Sequence, residues 1–310
     1  MNSTDGRPLI SGKRILVTGG AGFIGSHIAD ALVSDNEVVI LDDLSTGSLD
    51  NVPSEAEFVE GDVRDREAMS AVMEGVDIVF HHAAIVSVEQ SVEDPELTHD
   101  VTTRATIQLL EFARRESARV ILASSAAVYG QPESVPITET DQTEPTSPYG
   151  LAKLHADQYV RLYAELYNVE AIPLRYFNVY GPRQTAGDYS GVISIFLEQA
   201  QAGGPITVHG DGTQTRDFVH VSDVVQANLL AATEGTPGTA YNIGTGETIS
   251  ILELAETIRE AVATEVPIRI EHIDKREGDI DESQAAIGRA TDDLGFRPTI
   301  RLQDGLADLV

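Results

Sequence analysis

A strand-length apolar run, Ile15-Leu16-Val17-Thr18, leads straight into Gly19-Gly20-Ala21-Gly22-Phe23-Ile24-Gly25, and residues 22–34 continue at helical spacing. Few folds accommodate that succession. Glycines at 19, 22 and 25 let the backbone turn tightly, approach a pyrophosphate and pack helix on strand, while a helix N-terminus opening there offers unpaired N–H groups to phosphate. A purely structural glycine turn is the alternative, and the flanking strand and helix weigh against it. The next apolar run, 37–41, ends at Asp42-Asp43, 17 residues past Gly25. A carboxylate there accepts hydrogen bonds from a ribose diol and repels a 2′-phosphate, which favours NAD over NADP. Asp42 follows Leu41 directly and is the first choice, with Asp43 able to share the role.

Further apolar runs at 76–80, 119–123 and 171–175 read as buried strands, and 96–115 and 148–167 carry helical spacing. Alternation of this kind predicts an α/β chain, a Rossmann-like doubly wound parallel sheet. Beyond about Asn178 the pattern loosens at Gly203-Gly204-Pro205, His209-Gly210-Asp211-Gly212 and Pro237-Gly238. A smaller α/β substrate domain is expected on this C-terminal side. The division expected is 12–178 for the dinucleotide, with 217–234 and 241–244 returning to it, and 179–310 mainly for substrate. Gly61-Asp62-Val63 follows the third strand-like run, where Asp62 and a backbone amide can hold an adenine edge; Asp62 as a solvated loop residue is equally open. His81-His82-Ala83-Ala84 ends the fourth, and its small residues let backbone approach a cofactor. The two histidines do not suggest a metal site, because neighbouring strand side chains point to opposite faces.

Charge narrows the partners. Asp and Glu number 50 against 21 Lys and Arg, a net charge of −29, with no basic stripe. Nucleic acid and anionic membrane are therefore not expected as partners. The acid is spread along the chain, which suits a folded protein adapted to high salt, where the Debye length falls to about 3 Å at 1 M. An ordinary acidic protein is the alternative. There are no cysteines, which excludes disulfides, thiolate catalysis and zinc–thiolate sites. The first residues are polar and nowhere do about 18 apolar residues run together, so a cytoplasmic protein is expected.

Lys153 is one of only three lysines and stands four residues after Tyr149. On a helix the two share a face, so the ammonium is expected beside the phenol, where it would favour phenolate and make a base. A helix-surface pair is the alternative.

With Thr18-Gly19-Gly20-Ala21-Gly22-Phe23-Ile24-Gly25, Ser124-Ser125-Ala126-Ala127-Val128-Tyr129-Gly130 and Tyr149-x-x-x-Lys153, the chain resembles the extended short-chain dehydrogenase/reductases. Within them it is similar to the nucleotide-sugar epimerases of the UDP-glucose 4-epimerase type. The resemblance covers nearly the whole chain, including 175–183, 212–218 and Arg276-Glu277-Gly278-Asp279. It implies Ser125, Tyr149 and Lys153 as the catalytic set, with Tyr149 the base, Lys153 on the nicotinamide ribose and Ser125 on the reacting sugar oxygen. It implies NAD held by Gly19, Gly22, Phe23, Ile24, Gly25, Asp42, Asp43, Leu44, Ser45, Gly47, Asp62, Val63, Ala83, Ala84, Tyr149, Lys153 and Phe177. For the nucleotide sugar it implies Ser125, Tyr149, Asn178, Val192, Thr207, His209, Arg216, Arg276, Asp279 and Ser283.

The implied reaction removes the 4-OH proton and passes the C4 hydrogen to NAD as hydride, and returns hydride to the other face of the resulting 4-keto sugar. Family members that eliminate water carry Asp-Glu where this chain has Ala126-Ala127, and UDP-glucuronate decarboxylases place Glu at the second position. Neither alanine can do acid–base work. Ser283, seven residues after Arg276, matches the place where a bulky tyrosine in some members restricts the sugar 2-substituent, so UDP-N-acetyl sugars are expected beside UDP-glucose and UDP-galactose. An ordinary surface serine is the bland alternative. The family's Asn-Val-x-Gly-Thr stretch appears here as Thr102-Thr103-Arg104-Ala105-Thr106, which removes an asparagine near the active site. A homodimer through the helices around 96–115 and 148–167 is implied by analogy. A UDP-glucuronate 4-epimerase and a non-catalytic NAD-binding sensor are the rivals.

Overall fold

The computed structural model describes residues 10–184, 191–262, 267–275 and 278–310. Along the first part run β1 (Arg14–Thr18), α1 (Phe23–Leu32), β2 (Glu37–Asp42), β3 (Glu57–Glu60), α2 (Arg66–Met73), β4 (Ile78–His81), α3 (Val88–Glu93), α4 (Pro95–His99), α5 (Ala105–Glu116), β5 (Arg119–Ser125), α6 (Pro148–Tyr167) and β6 (Ala171–Tyr176). There follow β7 (Asn178–Tyr180), α7 (Val192–Gln201), β8 (Ile206–His209), β9 (Thr215–Arg216), β10 (Phe218–His220), α8 (Val221–Glu234), β11 (Tyr241–Ile243), β12 (Ile249–Ser250), α9 (Ile251–Ala261), β13 (Ile270–Ile273), β14 (Glu282–Ser283), α10 (Gly288–Leu294) and α11 (Leu302–Ala307).

Seven parallel strands form one sheet in the order β11-β6-β5-β4-β1-β2-β3. Its strands are buried on both faces, as parallel sheets require, and the period of two sorts their side chains between two cores. Ile15, Val17, Ile40, Phe80 and Leu174 pack with α1 and α8 on one face. On the other, Leu16, Val39, Leu41, Val79 and Leu122 meet α2, α5 and α6. From β1 the chain winds outward to β3, then returns to β4 and winds the other way, so a crevice opens past the ends of β1 and β4. Thr18 and His81 face each other in register at that crevice.

Residues after 178 are shared between the main sheet's core and a second one. Tyr241–Ile243 does join the main sheet beside β6, but 217–234 contributes no strand to it. β10 pairs with β7 instead, and α8 returns only as a helix packed on one face. Small sheets β8/β13 and β12-β9-β14 surround a separate core of Ile193, Phe196, Val208, Phe218, Leu254 and Ile258.

Two helices bear on the site. α6 starts where the Ser147 hydroxyl accepts the Gly150 N–H and Pro148 occupies the first turn, and it stops at Asn168 in the left-handed region. The helix expected over 96–115 is interrupted, because a π-helical turn at Asp100–Arg104 separates α4 from α5. There Thr103 Oγ1 donates to the Ala152 carbonyl at 3.1 Å and Thr106 Oγ1 to that of Thr102 at 2.6 Å. Side chains that bond carbonyls in this way loosen the regular ladder. Among the described residues no helix is long and apolar enough to cross a membrane.

Candidate active site

The glycine loop is shaped by contacts that leave no space for side chains. Gly19 sits at φ +69°, and a Cβ on it would lie 2.7 Å from the Ala83 amide nitrogen. On Gly25 it would lie 2.2 Å from the Gly19 carbonyl oxygen. Gly22 caps α1 without any side-chain hydrogen bond, so Phe23 and Ile24 open a helix whose first N–H groups have no side-chain cap. That is a pyrophosphate-sized cradle. Asp42 braces it: one carboxylate oxygen accepts the Ala21 N–H and the other the Leu44 N–H, both at 2.9 Å. Burial pushes the Asp42 carboxyl up, and those amides pull it back. Asp43 is exposed and accepts from the Ser45 N–H at 3.0 Å. Gly47 presses on Ala21, where a Cβ would lie 2.9 Å from the carbonyl carbon.

Asp62 is not a free loop carboxylate. The Arg64 guanidinium grips it and holds it below the usual range, a partner that neither motif nor periodicity signalled. Val63 is buried beside it, and Ala83 and Ala84 are partly covered. His81 is fully occupied, bonded to Thr18 Oγ1 at 2.7 Å and Thr106 Oγ1 at 3.0 Å. Burial first, then the Lys153 charge, lowers both His81 and His82 to about 3, so they are neutral. Among the described residues no group of three or more His, Asp and Glu side chains could hold a metal ion.

Across the crevice β5 ends at Ser125, whose Oγ accepts the Ala127 N–H at 3.1 Å and so caps a 3₁₀ turn over Ala126–Val128. The N-terminus of α6 is pressed against this turn, since a Cβ on Gly150 would lie 2.7 Å from the Ala127 carbonyl oxygen. That close approach brings Tyr149 and Ser125 together. Burial raises the Tyr149 phenol, and the nearby Ser125 hydroxyl opposes the rise.

The Lys153 ammonium donates one of its three N–H groups to the Ala123 carbonyl at 2.7 Å. Burial lowers Lys153 to about 8. Tyr149 and Lys153 share a helix face, and the lysine reaches the buried Ala123 carbonyl of β5.

The remaining expected residues lie in or next to the second unit. Phe177 is buried next to Leu154, and Asn178 Nδ2 donates to the Asp217 carbonyl at 3.0 Å, leaving its Oδ1 available. Arg216 is ion-paired with Asp279, which also accepts from Gln214. Ser283 lies in register with Arg216 on the adjacent strand and is 7 % exposed, so it is no surface serine. Val192 opens α7, while Thr207 bonds Gln199 and His209 bonds the Asp274 carbonyl. Arg276 lies outside the described residues.

The model of the NAD-dependent epimerase/dehydratase family matches residues 15–244. The chain belongs to this family. It is 38% identical over 306 residues to the UDP-glucose 4-epimerase of Mycolicibacterium smegmatis, covering 96% of this chain and 97% of that one. The UDP-glucose 4-epimerase of Thermotoga maritima, solved with UDP-glucose, superposes with a TM-score of 0.91 at 36% identity, covering 95% of this chain and 96% of that one. A UDP-N-acetylglucosamine 4-epimerase from Methanobrevibacter ruminantium, solved with UDP-N-acetylmuramic acid, gives 0.92 at 34%, covering 96% and 97%. NAD is the cofactor of the family, and the site fits it: a side-chain-free cradle at an uncapped helix start, with Asp42 at the end of the next strand.

Proposed function

We propose that the chain is an NAD-dependent UDP-sugar 4-epimerase that interconverts UDP-glucose and UDP-galactose and also accepts their N-acetylamino counterparts. The observation that carries this is the start of α6 pressed against the end of β5, which sets the Tyr149 phenol near Ser125 beside two alanines that cannot protonate or deprotonate anything. When bound, NAD supplies the acceptor and donor of hydride. Tyr149, as phenolate, takes the 4-OH proton and later returns it, and Ser125 holds the reacting oxygen. Asn178 and Arg216 hold the diphosphate while the sugar turns, an arginine fork being suited to pyrophosphate. A dehydratase or decarboxylase needs a further acid or base, and the 126–127 positions offer none.

Proton NMR in molar KCl, with UDP-glucose, UDP-N-acetylglucosamine and UDP-glucuronate supplied separately, tests the reading. Galacto-configured product from the first two without added NAD supports it, and molar salt matches the high-salt adaptation we infer from the acidic surface. Conversion of the glucuronate alone selects the uronate epimerase, and no conversion of any sugar despite bound NAD selects the sensor. In the same assay Ser283→Tyr is expected to lose at least about tenfold on UDP-N-acetylglucosamine relative to UDP-glucose, a steric discrimination of roughly 1.4 kcal/mol or more. Undiminished N-acetyl activity in that variant sinks the gate.

A homodimer is part of this reading. Leu151, Tyr159, Leu162 and Leu166 expose one apolar stripe along α6, and Val88 and Val92 expose another on α3 beside it. In a chain of net charge −29, identical copies meet most easily where acid is sparse, and of the two acids of α6 Asp157 is buried, leaving Glu165. Light scattering in molar KCl is expected to give twice the chain mass of 33.3 kDa, and Leu162→Glu to give the single mass. A wild-type protein at the single mass ends this proposal.

A further inference from the structure

Behind the Tyr149–Ser125 contact lies an ion pair shut off from water. Tyr149, Lys153 and Asp157 follow one another at four-residue steps along one face of α6. Asp157 receives a two-pronged grip from Arg175 of β6, Nε at 2.9 Å and Nη2 at 3.1 Å, with the two side chains 1% and 0% exposed. Ser124, next to Ser125 in β5, donates to the same carboxylate at 3.1 Å. Arg175 Nη1 donates to the Tyr129 hydroxyl at 2.9 Å, and that hydroxyl donates to Asn242 Oδ1 of β11 at 2.6 Å. Asn242 Nδ2 completes the chain on the Ile137 carbonyl at 2.9 Å.

These bonds join the helix that carries Tyr149 and Lys153, the strand that carries Ser125 and the strand that leads to Phe177 and Asn178. Stability does not require them, because well-packed apolar residues often replace a buried ion pair at no loss. What apolar packing lacks is direction. A planar guanidinium on a carboxylate sets both the separation and the rotation of the elements that bear them.

We propose that the Asp157–Arg175 fork, extended through Ser124, Tyr129 and Asn242, positions α6 against β5 so that the Tyr149 hydroxyl meets Ser125 and the sugar in reacting geometry. These are positioning residues, and the proposal rests on the reading of Tyr149 as base. Their effect belongs in kcat, because the diphosphate is held from the second unit.

The test is the double variant Asp157→Leu/Arg175→Met, which removes both charges and strands neither. It is expected to fold, to retain NAD and to keep KM within about twofold, while kcat falls roughly ten- to a hundredfold, the scale of a displacement near 1 Å. The near-ultraviolet titration of the Tyr149 phenol, read as the difference from the same protein carrying Tyr149→Phe, is expected to shift. Unchanged kcat together with an unchanged phenol titration overturns the proposal. If the double variant does not fold, Tyr129→Phe decides, since it deletes one hydroxyl and leaves the ion pair: a severalfold loss confined to kcat supports positioning and a wild-type kcat overturns it. The phenol titration needs no sugar. A wild type inactive on every UDP-sugar therefore ends the epimerase reading, while a shifted titration in the double variant still supports the positioning role.

Discussion

Tyr149→Phe is expected to lower kcat by roughly a hundred- to ten-thousandfold, the usual contribution of a positioned general base, while NAD and the UDP-sugar remain bound. The substitution removes one oxygen and leaves the ring in place. Ser125 then keeps its bond to the Ala127 amide, so the turn beside it stands. The pH dependence has a definite sign. Burial raises the phenol, so less phenolate is present at neutral pH than hydrogen bonding alone would give, and the rate of the wild type should climb with pH on its acid side. The positive charge of oxidised nicotinamide shifts that limb downward when the cofactor is loaded. In Tyr149→Phe the limb disappears. Initial rates across pH, with bound NAD quantified in each preparation, check the expectation. A phenylalanine variant retaining more than about a tenth of the wild-type kcat removes Tyr149 from the role of base.

Gly22→Ala and Gly25→Ala are expected to separate cofactor binding from folding. Gly22 has an ordinary φ of −81°, and the nearest atom to an added Cβ is the Gly19 carbonyl oxygen at 3.3 Å. The fold accepts that methyl with a small adjustment. The pyrophosphate does not, because the methyl occupies the approach to the first N–H groups of α1; NAD affinity should fall roughly ten- to a hundredfold through the loss of one or two charge-assisted bonds. Gly25 differs. An alanine there would set its Cβ 2.2 Å from a backbone oxygen of the turn itself, and neither partner is a flexible side-chain end. Forced overpacking of about 1–3 kcal/mol lowers the thermal midpoint by roughly 2–5 °C in a chain of this size. Calorimetry, together with the NAD released on denaturation, distinguishes the two. Equal NAD content in Gly22→Ala and wild type refutes the cradle.

The parallel sheet was legible because its determinants are local. Ile15 and Val17 against Leu16, or Val39 against Ile40, show the period of two, and hydrophobic burial on both faces leaves such runs no other stable arrangement. Gly25 was readable for the same reason, since backbone crowding within one turn demands it, and Gly19 because the turn holds it at positive φ. Tyr149 and Ser125 were identifiable as chemical types, and their approach required only that α6 come close to the end of β5, which Gly150 allows.

Other features depend on which partner each polar group finds in space. Lys153 shares a helix face with Tyr149, and one of its three N–H groups goes to the Ala123 carbonyl of β5. Asp62 is bound by an arginine two residues away, a pairing that any exposed turn could have left open. The hydroxyl of Tyr129 meets Asn242 across 113 positions of sequence, and Arg175, read only as the end of a buried strand, finds its carboxylate on a helix. The sequence by itself determined the alternation of strands and helices and the nucleotide-binding turn, both of which follow from short-range periodicity and sterics. Only the tertiary structure decided which partner satisfies each buried charge, because a hydrogen bond depends on direction and distance in space, and those exist only once the sheet has brought its strands together.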